Sequence, residues 1–148
     1  MINVALFGFG RIGQMHAANL SKHKEIKILY VYEKKSHLNK KAKKLYKCII
    51  ENNYYKIFSD KSVDIVFISS PTNTHIKFIE EAMKNKKTIF CEKPLDLNIN
   101  KIIKSFKKVK KIKPKIQLGF NRRYDPGHFS IKKDLDRNKI GKLEKIII

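Results

Sequence analysis

Apolar residues along this chain fall into two patterns that take turns. Mostly apolar runs at residues 2–7, 26–32, 63–69, 88–91 and 116–120 are short and rich in Ile, Val, Phe and Tyr. They predict buried strands, and residues 54–58 read as a weaker one. Between the runs, apolar residues gather on one side of a helix: Ile12, Met15 and Leu20; then Ile76, Ile79 and Met83; then Ile99, Ile102, Ile103, Phe106 and Val109. These predict helices over 11–22, over 74–84 and from Ile99 to Val109, with a Lys-rich helix over 38–48. Parallel neighbours must be joined by a crossover, which a helix supplies, so the alternation predicts an α/β fold, a doubly wound parallel sheet covered on both faces.

The chain behaves differently after Asn121. Asp125 and Pro126 predict a turn, residues 129–138 a helix, and Gly141 a left-handed cap behind it. Residues 145–148 then begin an apolar strand with no partner in view, an edge that folded proteins avoid leaving exposed. The expected organisation is a nucleotide-binding domain over 1–122 and the truncated start of a second, α+β domain over 123–148. The sequence accordingly reads as a fragment or a truncated reading frame.

Length supports that division, because 148 residues make one full domain whereas a two-domain enzyme needs about twice as many. The formal charge of +21 raises nucleic acid or an acidic membrane as partners. All but four of the 34 basic residues are Lys, however, the exceptions being Arg11, Arg122, Arg123 and Arg137. Phosphate and base readers rely on the guanidinium fork, and these lysines are spread over nearly every segment. The charge therefore reads as a solvated, Lys-rich surface, and no nucleic acid is expected as partner. Cys48 and Cys91 are too few and too far apart for a metal or redox pair, which leaves free thiols in a reducing compartment and no metal site. With neither a leader pattern nor an apolar run of spanning length, a cytoplasmic protein without a membrane partner is expected.

The candidate chemistry begins at Gly8-Phe9-Gly10-Arg11-Ile12-Gly13, which follows one predicted strand and opens one predicted helix. Gly8 suits a tight turn, Gly10 a close approach of backbone to a pyrophosphate, and Gly13 close packing of helix on strand. The helix N-terminus at Arg11 and Ile12 offers free amides and a positive dipole end to phosphates. Twenty residues after Gly13, Glu33 ends the second strand, placed to accept from the adenine-ribose hydroxyls. This is the dinucleotide fingerprint in its full context, so the sheet is expected to be of Rossmann type. The Glu33 carboxylate repels a 2′-phosphate and favours NAD over NADP, an effect that Lys34 and Lys35 soften.

Two further motifs lie at predicted strand ends: Ser69-Ser70-Pro71-Thr72-Asn73-Thr74-His75, and Glu92-Lys93-Pro94. With the glycine loop, they resemble the glucose-fructose oxidoreductase, inositol dehydrogenase and rhizopine-catabolism family of NAD(P)-dependent oxidoreductases. Residues 117–129, QLGFNRRYDPGHF, look most like its inositol 2-dehydrogenase branch. The likeness covers the whole chain but about half of a family member. It implies that Lys93 touches both cofactor and substrate hydroxyl and stabilises the developing alkoxide. It also implies that Glu92 and Pro94 shape a turn with a cis Lys93–Pro94 bond, that Ser70 and Glu92 lie on the cofactor side, and that Pro71, Thr72 and Asn73 line the nicotinamide-ribose side. His75 reads as a site residue or as a local cap, and His16 as structural. Asn121, Arg122 and Arg123 match the branch signature and are the candidate substrate contacts.

Family members carry, in the second domain, an Asp followed four residues later by the His that acts as base, and no histidine here has an Asp at that spacing. The resemblance thus implies the nucleotide-binding half of an NAD-dependent dehydrogenase for a sugar or polyol, myo-inositol first, inactive by itself. Its full-length form is expected to be a homo-oligomer. The alternative is a non-catalytic NAD-binding module or a decayed gene product.

Overall fold

The structure, a computed structural model, describes residues 1–108 and 114–145 and divides into two compact units, Met1–Leu118 and Gly119–Ile148. Val109 of the expected helical stripe and residues 146–148 of the expected terminal strand lie outside the described residues.

The first unit is a six-stranded sheet of β1 (Ile2–Phe7), β2 (Ile26–Tyr32), β3 (Ile49–Ile50), β4 (Ile65–Ile68), β5 (Thr88–Cys91) and β6 (Ile116–Leu118). The spatial order is β3-β2-β1-β4-β5-β6 and every pair is parallel, which is the Rossmann arrangement. Five helices, α1 (Arg11–Leu20), α2 (Ser36–Tyr46), α3 (Tyr54–Ser59), α4 (His75–Lys84) and α5 (Ile99–Lys108), make the connections. Because side chains alternate across a strand, β1 feeds two cores at once. Val4 and Leu6 pack with Ala17 of α1 and Ala42 of α2, whereas Ala5 and Phe7 pack with Ile57 and Phe58 of α3 and Phe78 and Ile79 of α4. The Phe7 ring lies 4.8 Å from both Phe58 and Phe78 and 5.4 Å from Tyr32.

The strands β2 and β5 occupy the residues expected of them. The expected strand over 54–58 is instead helix α3. Its aromatic and β-branched composition favours a strand, but Tyr54, Ile57 and Phe58 share one helical face, which packs against the Phe7 core. The Asn53 side chain accepts from Tyr55 N at 3.1 Å and caps that helix. Ile49 and Ile50 take the place beside β2. The Lys-rich helix ends early, at Tyr46, where Lys47 turns left-handed with φ 52°. Among the described residues no helix is long and apolar enough to cross a membrane.

In the second unit, α6 (Pro126–Asp136) starts three residues before the expected helix. Asp125 and Pro126 are its N-cap and first turn rather than a separate turn: Asp125 Oδ1 accepts from His128 N at 3.0 Å and from His128 Nδ1 at 2.8 Å. Asn138, with φ 53°, is the left-handed residue after the helix; Gly141 is left-handed too, but three residues on. The His128 hydrogen bonds, ring first and amide second, hold the Asp125 carboxyl at about 2, below its ordinary 3.8. A carboxyl depressed by folding stabilises above its unfolded value and loses that contribution as pH falls towards the folded one. The start of α6 is therefore expected to fray between about pH 4 and pH 2, read as loss of the His128 amide signal in NMR spectra. Asp125→Ala should remove that acid step, and a step that persists in the variant would disprove the assignment.

Candidate functional site

Parallel strands bring their carboxyl ends to one side of the sheet, and the loops leaving β1, β2, β4 and β5 carry the residues singled out by the sequence. The chain leaves β1 through Gly8 at φ +91°, a conformation side chains oppose. A Cβ there would stand 2.6 Å from the Ser70 backbone. At Gly13 a Cβ would overlap the Gly8 carbonyl oxygen, so Gly8 is required by the backbone leaving β4 and Gly13 by the closeness of α1 to the Gly8 loop. Gly8 N donates to Tyr32 O at 2.9 Å, and Ser69 Oγ donates to Gly8 O at 2.9 Å, which ties this loop to β2 and β4.

Gly10 differs, since its Cβ position meets nothing within 4 Å. It is the N-cap of α1, with no side-chain cap and no acidic residue in the first turn. The helix leaves the amides of Arg11, Ile12 and Gly13 without intrahelical acceptors, and its first turn carries no carboxylate to oppose an anion. The loop thus fits a pyrophosphate, by a cradle that a side chain at Gly10 would fill.

Glu33 does more than the sequence predicts. Its Oε2 accepts from Phe9 N at 2.8 Å, and its Oε1 from the amides of Lys34 at 2.8 Å and Lys35 at 3.0 Å. Three amides fix the carboxylate and, through Phe9, fix the glycine loop. A carboxylate has about four acceptor positions, so one remains for a ribose hydroxyl. On the loop's other side Gln14 Nε2 donates to Phe9 O at 3.1 Å.

Beside the loop opens a cleft of about 400 Å³, bordered by Gly8, Glu33, Ser70, Pro71 and Asn73. Thr72–Thr74 forms a 3-10 turn in which the Thr74 hydroxyl donates to Pro71 O at 2.7 Å. Sequence reasoning missed Tyr32, Tyr54 and Lys77, which also line the cleft. The Lys77 ammonium sits 4.6 Å over the Tyr54 ring and draws the Tyr54 hydroxyl below its usual 10.0. The position of Tyr32 next to Glu33 was the available signal; Tyr54 gave none, because its segment reads as a strand.

His75 is 1% exposed and its ring bridges two backbone segments. Its Nδ1 lies 2.8 Å from Pro94 O and its Nε2 2.8 Å from Ser70 O. His16 Nε2 donates to Glu92 Oε1 at 2.7 Å, its ring seated 4.7 Å from Phe67 and 5.4 Å from Phe90. Lys93 stands exposed between Glu92 and Pro94, and the Lys93–Pro94 bond is cis. Burial pushes the adjacent Cys91 thiol up to about 12, which excludes it as a nucleophile at neutral pH. Among the described residues no group of three or more His, Cys, Asp or Glu is placed to hold a metal ion. Asn121, Arg122 and Arg123 lie in the second unit, on a 3-10 turn where Arg122 Nη1 reaches Asp125 Oδ2 at 3.4 Å.

Comparison with known proteins locates this geometry. The model of an oxidoreductase family with an NAD-binding Rossmann fold matches residues 2–120. Inositol 2-dehydrogenase of Rhizobium meliloti is 33% identical over 147 residues, 99% of this chain and 44% of that protein. The scyllo-inositol 2-dehydrogenase (NAD(+)) of Bacillus subtilis is 34% identical over 143 residues, 95% of this chain and 42% of that protein. The crystal structure of scyllo-inositol dehydrogenase from Lactobacillus casei, with bound NAD(H) and scyllo-inositol, superposes with a TM-score of 0.88 at 30% identity, over 96% of this chain and 43% of that one. The chain spans less than half the length of these relatives.

Proposed function

The chain belongs to the Gfo/Idh/MocA family of NAD-binding oxidoreductases, and from that premise we propose that it is the cofactor-holding part of a dehydrogenase that oxidises a secondary hydroxyl of a polyol, myo-inositol first. The observation that carries the reading is the uncapped start of α1 at Gly10, open to solvent and tied through Phe9 to Glu33. The amides of Arg11, Ile12 and Gly13 hold the pyrophosphate, and Glu33 holds the adenine ribose. NAD, when bound, supplies the acceptor for the hydride. Pro71, Thr72 and Asn73 border its nicotinamide side, and the Lys93 ammonium stabilises the negative charge that grows on the substrate oxygen. Asn121, Arg122 and Arg123 contact the polyol, and the base that takes the hydroxyl proton comes from a second domain. A reducing cytoplasm suits the buried free thiols Cys48 and Cys91, and the longer protein self-associates through its second domain.

Calorimetry with NAD and NADH tests the cofactor part; no heat with either at millimolar levels defeats it. A chimera that joins residues 1–120 to the remainder of the Rhizobium meliloti relative tests the activity and is expected to make NADH from myo-inositol. Binding of NAD without turnover of any polyol or sugar by that chimera would favour the non-catalytic module instead.

Glu33 also sets cofactor choice. Wild-type protein is expected to bind NAD at least tenfold more tightly than NADP. Glu33→Ala removes hydrogen bonds to a charged group, about 1.5–3 kcal/mol, and should weaken NAD roughly tenfold or more while bringing the two affinities together, with Lys34, Lys35 and Lys77 along the cleft. Equal affinities in the wild type would defeat this assignment.

A further inference from the structure

Two histidines grip the segment around Lys93 from opposite sides. Glu92, before the lysine, is held by His16 from α1 at 2.7 Å; Pro94, after it, is held through its carbonyl by His75 from α4 at 2.8 Å. Neither ring is free to drift. His16 is packed between Phe67 and Phe90, and His75 is buried with its other nitrogen on Ser70 O. The Glu92 carboxylate also accepts from Lys93 N at 3.2 Å, and Glu92 N donates to Ile68 O at 2.8 Å, so the backbone on both sides of the lysine is pinned.

The two anchors come from the elements that border the cofactor site. His16 sits on the helix whose first amides face the open cradle, six residues beyond Gly10, and His75 opens the helix that follows the Ser70–Asn73 loop. A lysine has much rotamer freedom to lose, and a reacting group must be held to about 0.5 Å, so fixing its backbone removes a large part of the search. We propose that His16 and His75 are positioning residues that set Lys93 against the bound cofactor, His16 through Glu92 and His75 through the Pro94 carbonyl. The proposal rests on the reading of Lys93 as the residue that meets cofactor and substrate. It assigns the histidines no contact with either.

The test reads Lys93 directly and needs no turnover. The intact chain is trace-labelled with acetic anhydride, with and without saturating NAD, and acetylation of Lys93 is measured by mass spectrometry of the peptide that holds it. NAD is expected to slow Lys93 acetylation at least tenfold in the wild type. His16→Phe keeps a ring in the aromatic slot but removes the donor; it should cut that protection below threefold while the NAD dissociation constant moves less than threefold and circular dichroism is unchanged. His75→Gln should do the same. Glu92→Gln keeps an acceptor for His16 and should retain more than half of the protection, a rescue that packing alone does not predict. If His75→Gln fails to fold, His16→Phe and Glu92→Gln decide the matter. Protection within twofold of wild type in His16→Phe, with NAD bound, overturns the proposal. Absence of NAD binding by the wild type overturns instead the cofactor reading beneath it.

Discussion

Alanine at Gly13 is expected to leave little folded protein, whereas alanine at Gly10 should melt near the wild-type temperature and fail to bind NAD. At Gly13 the new methyl overlaps the Gly8 carbonyl oxygen and presses on Ser69 Oγ at 2.9 Å. Backbone cannot step aside as a side chain does, and overpacking costs about 1–3 kcal/mol or more. Gly8→Ala adds a strained left-handed backbone, about 1–3 kcal/mol, to the collision with Ser70. Whole domains have only about 5–15 kcal/mol of stability, so either change takes a large share. Gly10 has an ordinary φ of −67° and free space at its Cβ, so the fold tolerates the methyl. The pyrophosphate would not, because the methyl occupies the space in front of the Arg11, Ile12 and Gly13 amides. Thermal melts and calorimetry on the three variants separate these effects. A Gly10→Ala protein that melts as early as Gly13→Ala, or binds NAD as tightly as wild type, contradicts the assignment of the cradle.

Lys93→Met, made in the chimera with a complete second domain, should lower the rate of NADH formation from myo-inositol by about 10²–10³, the loss typical of removing one donor to a developing oxyanion. Its ammonium interacts most strongly with charge present only in the transition state, so kcat and kcat/KM are expected to fall together. Lys93→Arg should rescue poorly, because a planar fork does not occupy the position of a compact ammonium. Steady-state rates followed by NADH absorbance decide it; a Met variant within threefold of wild type removes Lys93 from the mechanism.

The parts of this molecule that the sequence displays are those governed by local pattern. β2 and β5 are mostly apolar runs bounded by polar residues, and Gly8 and Gly13 follow from backbone collisions that admit no side chain. Residues 54–58 read as a strand because Tyr54, Tyr55, Ile57 and Phe58 favour one by type, while the Asn53 cap and the aromatic core at Phe7 decide for the helix α3. The site was legible where a motif lies within one loop and illegible where bonds join distant segments. His75 meets Pro94 across 19 residues and His16 meets Glu92 across 76, distances that no periodicity encodes. Glu33 stands out by its spacing from Gly13, but the Phe9 amide that ties it to the glycine loop meets it only once β1 and β2 lie side by side.

β1 runs from Val4 to Phe7 without exposure and passes directly into the loop at Gly8. The segment that would receive the phosphates is thus rooted in the best-sheltered ribbon of the molecule, with neighbours on either flank and a layer above and below. Such a receptor is finished when the chain finishes folding. The arriving nucleotide spends little of its binding energy on ordering the host, and its affinity reports the fit between the two shapes.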